Sequence, residues 1–493
     1  MEQFRNFIGG QFADAIDGRK LDVIEPATGA VYAQVARSGT EDVGRAVQAA
    51  QGAFPEWSGM GASARSERML KLAQLIEDDL ERFARAESVD TGKPIALARS
   101  VDIPRAVENF RFFATAILHT ETAAHFMDAT PTGGTAINYT LRAPRGVAGL
   151  ISPWNLPLYL LSWKIAPAIA TGNTCIAKPS EVTPATATLL AEKLNDASIP
   201  AGAVNIVHGL GDECGAKIVE HDGVRAVSFT GSTGVGKWIG ESCGRALKPV
   251  SLELGGKNPT VVFDDADMDE ALPTSVRAAF ANQGQICLCG SRLLVQEGVH
   301  DEFVRAFVER TKAITIGDPL DEKTQHGASV SAAHLEKIER AVDRARELGG
   351  NILTGGRRVP AAELPKRCAG GYFYEPTAIA GLANECDVIQ EEIFGPVVTI
   401  QRFKDEREAI ELANSTAFGL AASVWTRDLS RAHRVAHAID SGIVWVNCWM
   451  LRDLRTPFGG MKASGMGREG GNEALRFFTE PKNVCIAHDR NTP

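Results

Sequence analysis

The chain has 493 residues, 44% of them hydrophobic and 23% charged, with a formal net charge of −9. That length exceeds one ordinary core and predicts two or three domains. Acidic and basic side chains interleave without a Lys/Arg-rich block, which argues against a nucleic-acid partner or a polybasic membrane surface.

The opening residues, MEQFRNFIGGQFADAIDG, lack the charged start and apolar run of a secretory signal. No stretch of about 18 apolar residues occurs, so no transmembrane helix is expected. The greasiest segment, Leu156 to Ala170, is interrupted by Pro157, Lys164 and Pro167. Nine dispersed cysteines suit a reducing, cytoplasmic location better than a disulfide framework.

In chain order, Ala62 to Thr120 reads as helical and Tyr139–Arg142 as an edge or arm strand. From residue 146, short β-branched runs alternate with helical ones. The predicted strands are Gly146–Ile151, Thr174–Ala177, Val204–Val207, Ala226–Phe229 and Val250–Glu253. Their starts lie roughly 22 to 30 residues apart, the length of one strand–helix–strand step. Thr183-Pro184 reads as N-cap and first-turn proline, ahead of Ala187, Leu190, Ala191 and Leu194 on one helix face. Such a doubly wound parallel sheet binds ligands at the carboxyl ends of its strands.

Between a strand and a helix lies Gly231-Ser-Thr-Gly-Val-Gly-Lys237. It fits the phosphate-loop pattern until the next position, where Trp238 replaces the magnesium-binding Ser or Thr. It also lacks the spacing of a Gly-x-Gly-x-x-Gly turn. One reading is a glycine-rich turn. The other is a cofactor pyrophosphate at a helix N-terminus, where unpaired N–H groups and the helix dipole attract anions.

A second α/β region runs from Gly256 to Gly460, with predicted strands Thr260–Phe263, Arg292–Gln296, Val397–Phe403, Ala422–Thr426 and Ile443–Asn447. Val484–His488 reads as another arm strand, and the final DRNTP as a loose tail. Within this region NQGQICLCGSR (282–292) holds Cys287 and Cys289. A disulfide across so short a loop is strained. No second close cysteine pair and no nearby His-x-x-x-His accompanies them, so no metal site is expected. Two readings remain: small buried apolar residues or a thiolate nucleophile.

The motifs PWNLP (153–157), FTGS (229–232), LELGGKNP (252–259), GQIC (284–287), EEIFGPV (391–397) and PFGGMKASGMGRE (457–469) occur in that order. Together they resemble the aldehyde dehydrogenase superfamily along nearly the whole chain. The resemblance implies an α/β fold with two doubly wound domains, a Rossmann-like cofactor domain and a catalytic domain, plus a small β oligomerisation arm. It places the NAD-binding domain at residues 1–122 and 144–255 and the catalytic domain at 256–462. The arm and C-terminal segment take 123–143 and 463–493. It further implies a homodimer or homotetramer, NAD as cofactor, and oxidation of an aldehyde to a carboxylic acid.

By the same resemblance Cys287 matches the nucleophile, and Cys289 a packing or accessory thiol. Asn155 matches the side-chain donor to the oxyanion, with the backbone N–H of Cys287 beside it. Glu253 matches the base that activates water against a thioester, a task suited to a carboxyl raised by partial burial. Lys164 resembles a family lysine near the oxyanion side. Lys178 and Glu181 match residues at the adenine ribose, where a carboxylate accepts from two hydroxyls and repels a 2′-phosphate, so NAD is expected over NADP. Gly231 and Ser232 fall by the pyrophosphate, and Glu392 and Phe394 by the nicotinamide ribose and ring. Ile151, Trp154, Gly211, Phe229 and Leu254 are expected to line the dinucleotide.

Arg105, in DIPRAVENF, falls on a helix that resembles one wall of the substrate tunnel. Arg452, in WMLRDLRTPFGG, stands where many relatives are aromatic, and Tyr159 and Trp163 complete the expected wall. Two guanidiniums facing one tunnel repel unless an anion joins them, and a carboxylate supplies one. By periodicity alone Arg105 lies away from the stripe Val107, Phe110, Ala114 and Ile117 and reads as a solvated charge. Arg455 competes with Arg452 for the tunnel position. The pairing is similar to that of the muconic semialdehyde dehydrogenases, which act on carboxylated semialdehydes made by aromatic ring cleavage, as in tryptophan breakdown. The implied substrate is 2-aminomuconate 6-semialdehyde, to whose enzymes ANQGQICLCGSR is closer. The alternatives are 2-hydroxymuconate semialdehyde and a broad range of aldehydes.

Overall fold

Val147–Ile151 is apolar and buried along its whole length, as expected of an inner parallel strand. In the computed structural model, which describes residues 1–128, 131 and 134–488, it is the middle of five parallel strands. Thr174–Lys178 and Val204–Ile206 lie to one side, Val224–Thr230 and Val250–Glu253 to the other. The chain builds outward one way, then returns to build the other. A topological switch point therefore lies at the carboxyl end of Val147–Ile151, just ahead of Trp154 and Asn155. Antiparallel pieces seal both edges of this eight-stranded sheet: Asn6–Ile8 with Gln11–Ala13, and Gly465–Met466.

The second sheet has seven strands. Thr377–Ala380, Val397–Phe403, Arg292–Gln296, Pro259–Val262, Ala421–Trp425 and Ile443–Val446 run parallel, and Asn351–Thr354 closes one edge antiparallel. The segment interrupted by prolines becomes the helix Pro157–Ala170, buried on every side. All-round hydrophobicity is what such a position requires. Pro157 opens it, where no intrahelical N–H is needed.

The structure adds to the sequence reading at three places and corrects it at Thr183. Residues ahead of Ala62, given no elements above, form the helix Thr40–Gly59 and five short strands. Most of these strands are three residues long, too short to show an alternation. Thr183 caps nothing: the helix is Ala185–Asp196 and Thr183 Oγ1 has no hydrogen-bond partner among the described residues. Asp90, distant in sequence, takes the Ala185 N–H at 2.7 Å instead. Within 463–493, the part given to the arm and C-terminal segment, Gly465–Met466 pairs with Leu252 and Glu253 in the eight-stranded sheet. The arm's strands are Ala124–Met127, Thr135–Pro144 and Thr479–His488. The expected tail DRNTP lies outside the described residues.

Candidate active site

Cys287 sits on a loop between the helix Met268–Phe280 and the strand Arg292–Gln296. The loop enters through left-handed backbone at Asn282 (φ 50°), Gln283 (φ 55°) and Gly284 (φ 70°). Left-handed geometry costs a non-glycine residue about 1 kcal/mol, so surrounding bonds must hold it. Gln283 Nε2 donates to the carbonyls of Gly92 and Ala328, both at 3.0 Å. Val330 N–H donates to Gln285 Oε1 at 3.1 Å, and Asn258 Nδ2 to the carbonyls of Cys287 and Cys289 at 2.7 and 2.9 Å. The thiol thus stands on fixed backbone.

Asn155 lies across from this loop and is buried. Its Nδ2 donates to Gln285 O at 2.9 Å, which aims the amide and leaves its second N–H for a ligand. Its backbone carbonyl accepts from Asn282 Nδ2 at 3.0 Å and Lys93 Nζ at 3.1 Å. Burial first, then the negative charges of Glu392 and Glu253, push the Cys287 thiol up, and Arg452 opposes them.

Glu253 ends the strand Val250–Glu253 and is buried, and neither carboxylate oxygen has a hydrogen-bond partner among the described residues. Burial first, then the charge of Glu469, holds its carboxyl well above the usual range, and Lys164, Arg452 and Arg468 pull it back. Lys164 Nζ is tied instead to Glu469 Oε1 at 2.8 Å and Ser228 Oγ at 2.9 Å. A carboxyl in this setting is a stronger base than an exposed one.

Beside Cys287 a cavity of about 250 Å³ is lined by Trp154, Asn155, Thr230, Ser232, Leu254, Glu392 and Phe394. A second, of about 580 Å³, lies among Ile151, Gly211, Phe229, Val235 and Trp238. Ser232 caps the helix Thr233–Arg245, its Oγ accepting from Val235 N–H at 3.5 Å. Lys178 Nζ reaches Glu181 Oε2 at 3.2 Å.

On the other side, Arg105 and Arg452 line one cavity of about 930 Å³ with Trp445 and Phe458. The Arg452 guanidinium is stacked between Trp163 (4.2 Å) and Phe458 (3.8 Å), and its Nη1 donates to the Tyr159 hydroxyl at 3.2 Å. Its Nε and Nη2 are buried without a hydrogen-bond partner among the described residues. Arg105 is not a solvated charge: its side chain is 20% exposed and lies 5.9 Å from the Tyr159 ring. Arg455 points away, 81% exposed and paired with Asp453. Tyr159, Phe458 and Cys289 share one apolar cluster, against which Cys287 packs.

A model of the aldehyde dehydrogenase family matches residues 12–484. The chain belongs to that family. It is 49% identical over 483 residues to a 2-aminomuconic semialdehyde dehydrogenase of Danio rerio, covering 98% of each chain. It is 47% identical to a 2-hydroxymuconic semialdehyde dehydrogenase of Pseudomonas sp. (strain CF600), covering 99% of this chain and 100% of that one. The structure of an aldehyde dehydrogenase from Bacillus cereus in complex with NAD+ superposes with a TM-score of 0.94 at 38% identity, over 99% of this chain and 97% of that one.

Within this aldehyde dehydrogenase, several residues given no role above reach the site. Glu469 closes the expected GMGRE motif, and its partnership with Lys164 and Ser228 depends on a contact between distant segments. His334 Nε2 donates to the Phe394 carbonyl at 2.7 Å and its ring meets Trp154 edge-on, which steadies Phe394 in left-handed backbone (φ 63°). Burial pushes His334 down to about 4, so it stays neutral. Among the described residues no group of three or more His, Cys, Asp or Glu is placed to hold a metal. The chain does carry one His-x-x-x-His, His433 and His437, whose rings stack on the surface helix Leu429–Ala438 away from the cysteines.

Proposed function

We propose that this aldehyde dehydrogenase oxidises 2-aminomuconate 6-semialdehyde to 2-aminomuconate with NAD. Arg452 carries the reading. A guanidinium with two buried nitrogens that have no hydrogen-bond partner among the described residues is costly to leave unmet. A substrate carboxylate arriving between Arg452 and Arg105 meets it with matching fork geometry, and an uncharged aldehyde does not. The names of the relatives at 49% and 47% identity supply the conjugated semialdehyde, and the second of them supports 2-hydroxymuconate semialdehyde as the other reading.

The residues present fit a dinucleotide. A Cβ on Gly236 would stand 2.3 Å from the Leu254 side chain and one on Gly255 2.3 Å from Glu392 Oε2, so the groups around Leu254 beside this cavity pack closely. The cavity by Gly211 and Trp238 suits a flat base, Ser232 and the helix behind it an anionic phosphate, and Glu181 a ribose diol. Bound there, NAD supplies the hydride acceptor.

The chain's own groups do the rest. Cys287 Sγ loses its proton to solvent and bonds to the aldehyde carbon as the carbonyl π pair moves onto oxygen, making a thiohemiacetal anion. Asn155 Nδ2 and the Cys287 backbone N–H hold the oxyanion, a type of contact worth about 2.7–4 kcal/mol. Oxidation leaves a thioester on Sγ. Glu253 then takes a proton from water, whose oxygen attacks the thioester carbon, the C–S bond breaks, and the Cys287 thiolate leaves.

The test is NADH formation with 2-aminomuconate and 2-hydroxymuconate 6-semialdehydes against 2,4-hexadienal, an uncharged conjugated analogue. The carboxylated substrates are expected to lead in kcat/KM by about 100-fold or more. Equal rates with hexadienal overturn the carboxylate reading, and a lead for the hydroxyl compound moves the assignment to the second reading. The arm exposes Phe126, Met127, Leu141 and Ile486, and we take it as the surface that builds a homodimer or homotetramer. A monomer in sedimentation equilibrium would count against that. The free cysteines support a cytoplasmic location.

A further inference from the structure

Behind the site lies an ion cluster that none of the steps above uses. Lys93 is fully buried, and its ammonium is surrounded by three acceptors: Asp102 Oδ2 at 2.5 Å, Asn155 O at 3.1 Å and Glu87 Oε1 at 3.4 Å. Each acceptor belongs to a different element. Glu87 is on the helix Leu80–Thr91, Asp102 directly precedes the helix Ile103–Ala116 that carries Arg105 in its first turn, and Asn155 is the oxyanion donor. The preceding residue, Gly92, accepts from Gln283 of the nucleophile loop through its carbonyl. A Cβ on Gly92 would stand 2.7 Å from the Ala328 carbonyl, so the turn fits closely.

A buried ion cluster is a poor way to gain stability, because well-packed apolar side chains of similar volume do as well or better. It does define geometry, since an ammonium with three fixed acceptors tolerates little displacement of any of them. We propose that Lys93 is a positioning residue that sets the distance between the carboxylate-binding helix and the oxyanion donor, gripping the first through Asp102 and the second through the Asn155 carbonyl. A carboxylate at one end of a rigid conjugated substrate and an aldehyde at the other need that distance held. Glu87 has the lesser part: burial pushes it up to about 7, and a glutamine there mimics its protonated form.

The inference rests on the oxyanion role proposed for Asn155, and the experiment separates the two. Lys93→Met, Asp102→Asn, Glu87→Gln and Asn155→Ala are compared with wild type, each normalised to Cys287 titrated by iodoacetamide. The substrates are 2-hydroxymuconate 6-semialdehyde and 2,4-hexadienal. Lys93→Met is expected to lower kcat about 10- to 100-fold with both substrates, as loss of an oriented oxyanion donor does. Asp102→Asn keeps an acceptor but weakens the grip on the Arg105 helix. It should raise KM for the carboxylated substrate several-fold while kcat with hexadienal stays within about 3-fold. Glu87→Gln should match wild type within about 2-fold.

Unchanged kcat and KM per titrated thiol in Lys93→Met overturn the proposal, as does a Glu87→Gln defect as deep as that of Lys93→Met, which marks general packing. Should Lys93→Met yield no folded protein, the split in Asp102→Asn decides: KM rising and kcat falling alike for both substrates overturns it. If Asn155→Ala keeps its kcat, the oxyanion assignment has failed. If Asn155→Ala is impaired and Lys93→Met is not, only the positioning role has failed.

Discussion

The guanidinium carbon of Arg452 lies 3.8 Å from the centre of the Phe458 ring, with the Trp163 ring at 4.2 Å. Stacking of this kind orients a planar cation without consuming its hydrogen-bond donors. The Tyr159 hydroxyl takes one Nη1 hydrogen bond, and the remaining donors are available to a carboxylate.

Arg452→Ala should therefore lower kcat/KM for a muconic semialdehyde by about 2–5 kcal/mol equivalent, and leave 2,4-hexadienal within about 5-fold. Arg452→Lys keeps the charge but loses the planar stack and the fork, and is expected to fall between the two. Equal losses with both substrates would show that Arg452 supports the cavity wall and reads no carboxylate.

In the mechanism proposed above Glu253 serves the second half-reaction only. Glu253→Gln should still acylate, giving a single burst of NADH and a Cys287 adduct visible by intact mass. Its steady-state rate should fall about 10²- to 10⁴-fold. The carboxyl must be ionised to take a proton from water, and burial with Glu469 raises it. Steady-state activity should therefore rise with pH through that raised value, and Glu253→Gln should lose this limb. A full loss of the burst in Glu253→Gln would mean that Glu253 also serves the attack of the thiol.

Three strands, Val250–Glu253, Arg292–Gln296 and Val397–Phe403, have the ends that their β-branched runs predict. Each is an inner strand whose own side chains decide its state. Arg105 is different: its helix does bury Val107, Phe110 and Ala114, yet the arginine lies against Tyr159 because the helix Pro157–Ala170 crosses beside its first turn. A neighbour sets that burial, and no periodicity within one helix can report it. Thr183 fails for the same reason, since Asp90 occupies the capping place from far along the chain. Lys93 gave no signal because its acceptor Asn155 is 62 positions away.

Gly284 fits tightly against backbone in the nucleophile loop. Its φ is 70°, and a Cβ there would stand 2.0 Å from the Gly395 carbonyl. Backbone would have to move, since neither group is the end of a flexible side chain. Gly284→Ala should cost about 2 kcal/mol or more in stability and lower the rate of iodoacetamide alkylation at Cys287. A variant with wild-type melting temperature and alkylation rate would show that the loop relaxes freely.

In the function proposed above Glu181 sets the cofactor choice; its Oε2 stands 3.2 Å from Lys178 Nζ at the end of a parallel strand. Its carboxylate can accept from ribose hydroxyls, and its charge opposes a 2′-phosphate, while Lys178 would by itself attract one. Glu181→Gln keeps the shape and an acceptor oxygen but removes the repulsion. By fluorescence titration the NAD to NADP affinity ratio should drop about 10-fold or more, equivalent to about 1.4 kcal/mol. The change should come mainly from tighter NADP binding, because the neutral amide still bonds to the diol and Lys178 is then unopposed. A ratio that stays constant while both affinities fall together would place Glu181 in the support of Lys178 and not in reading the ribose.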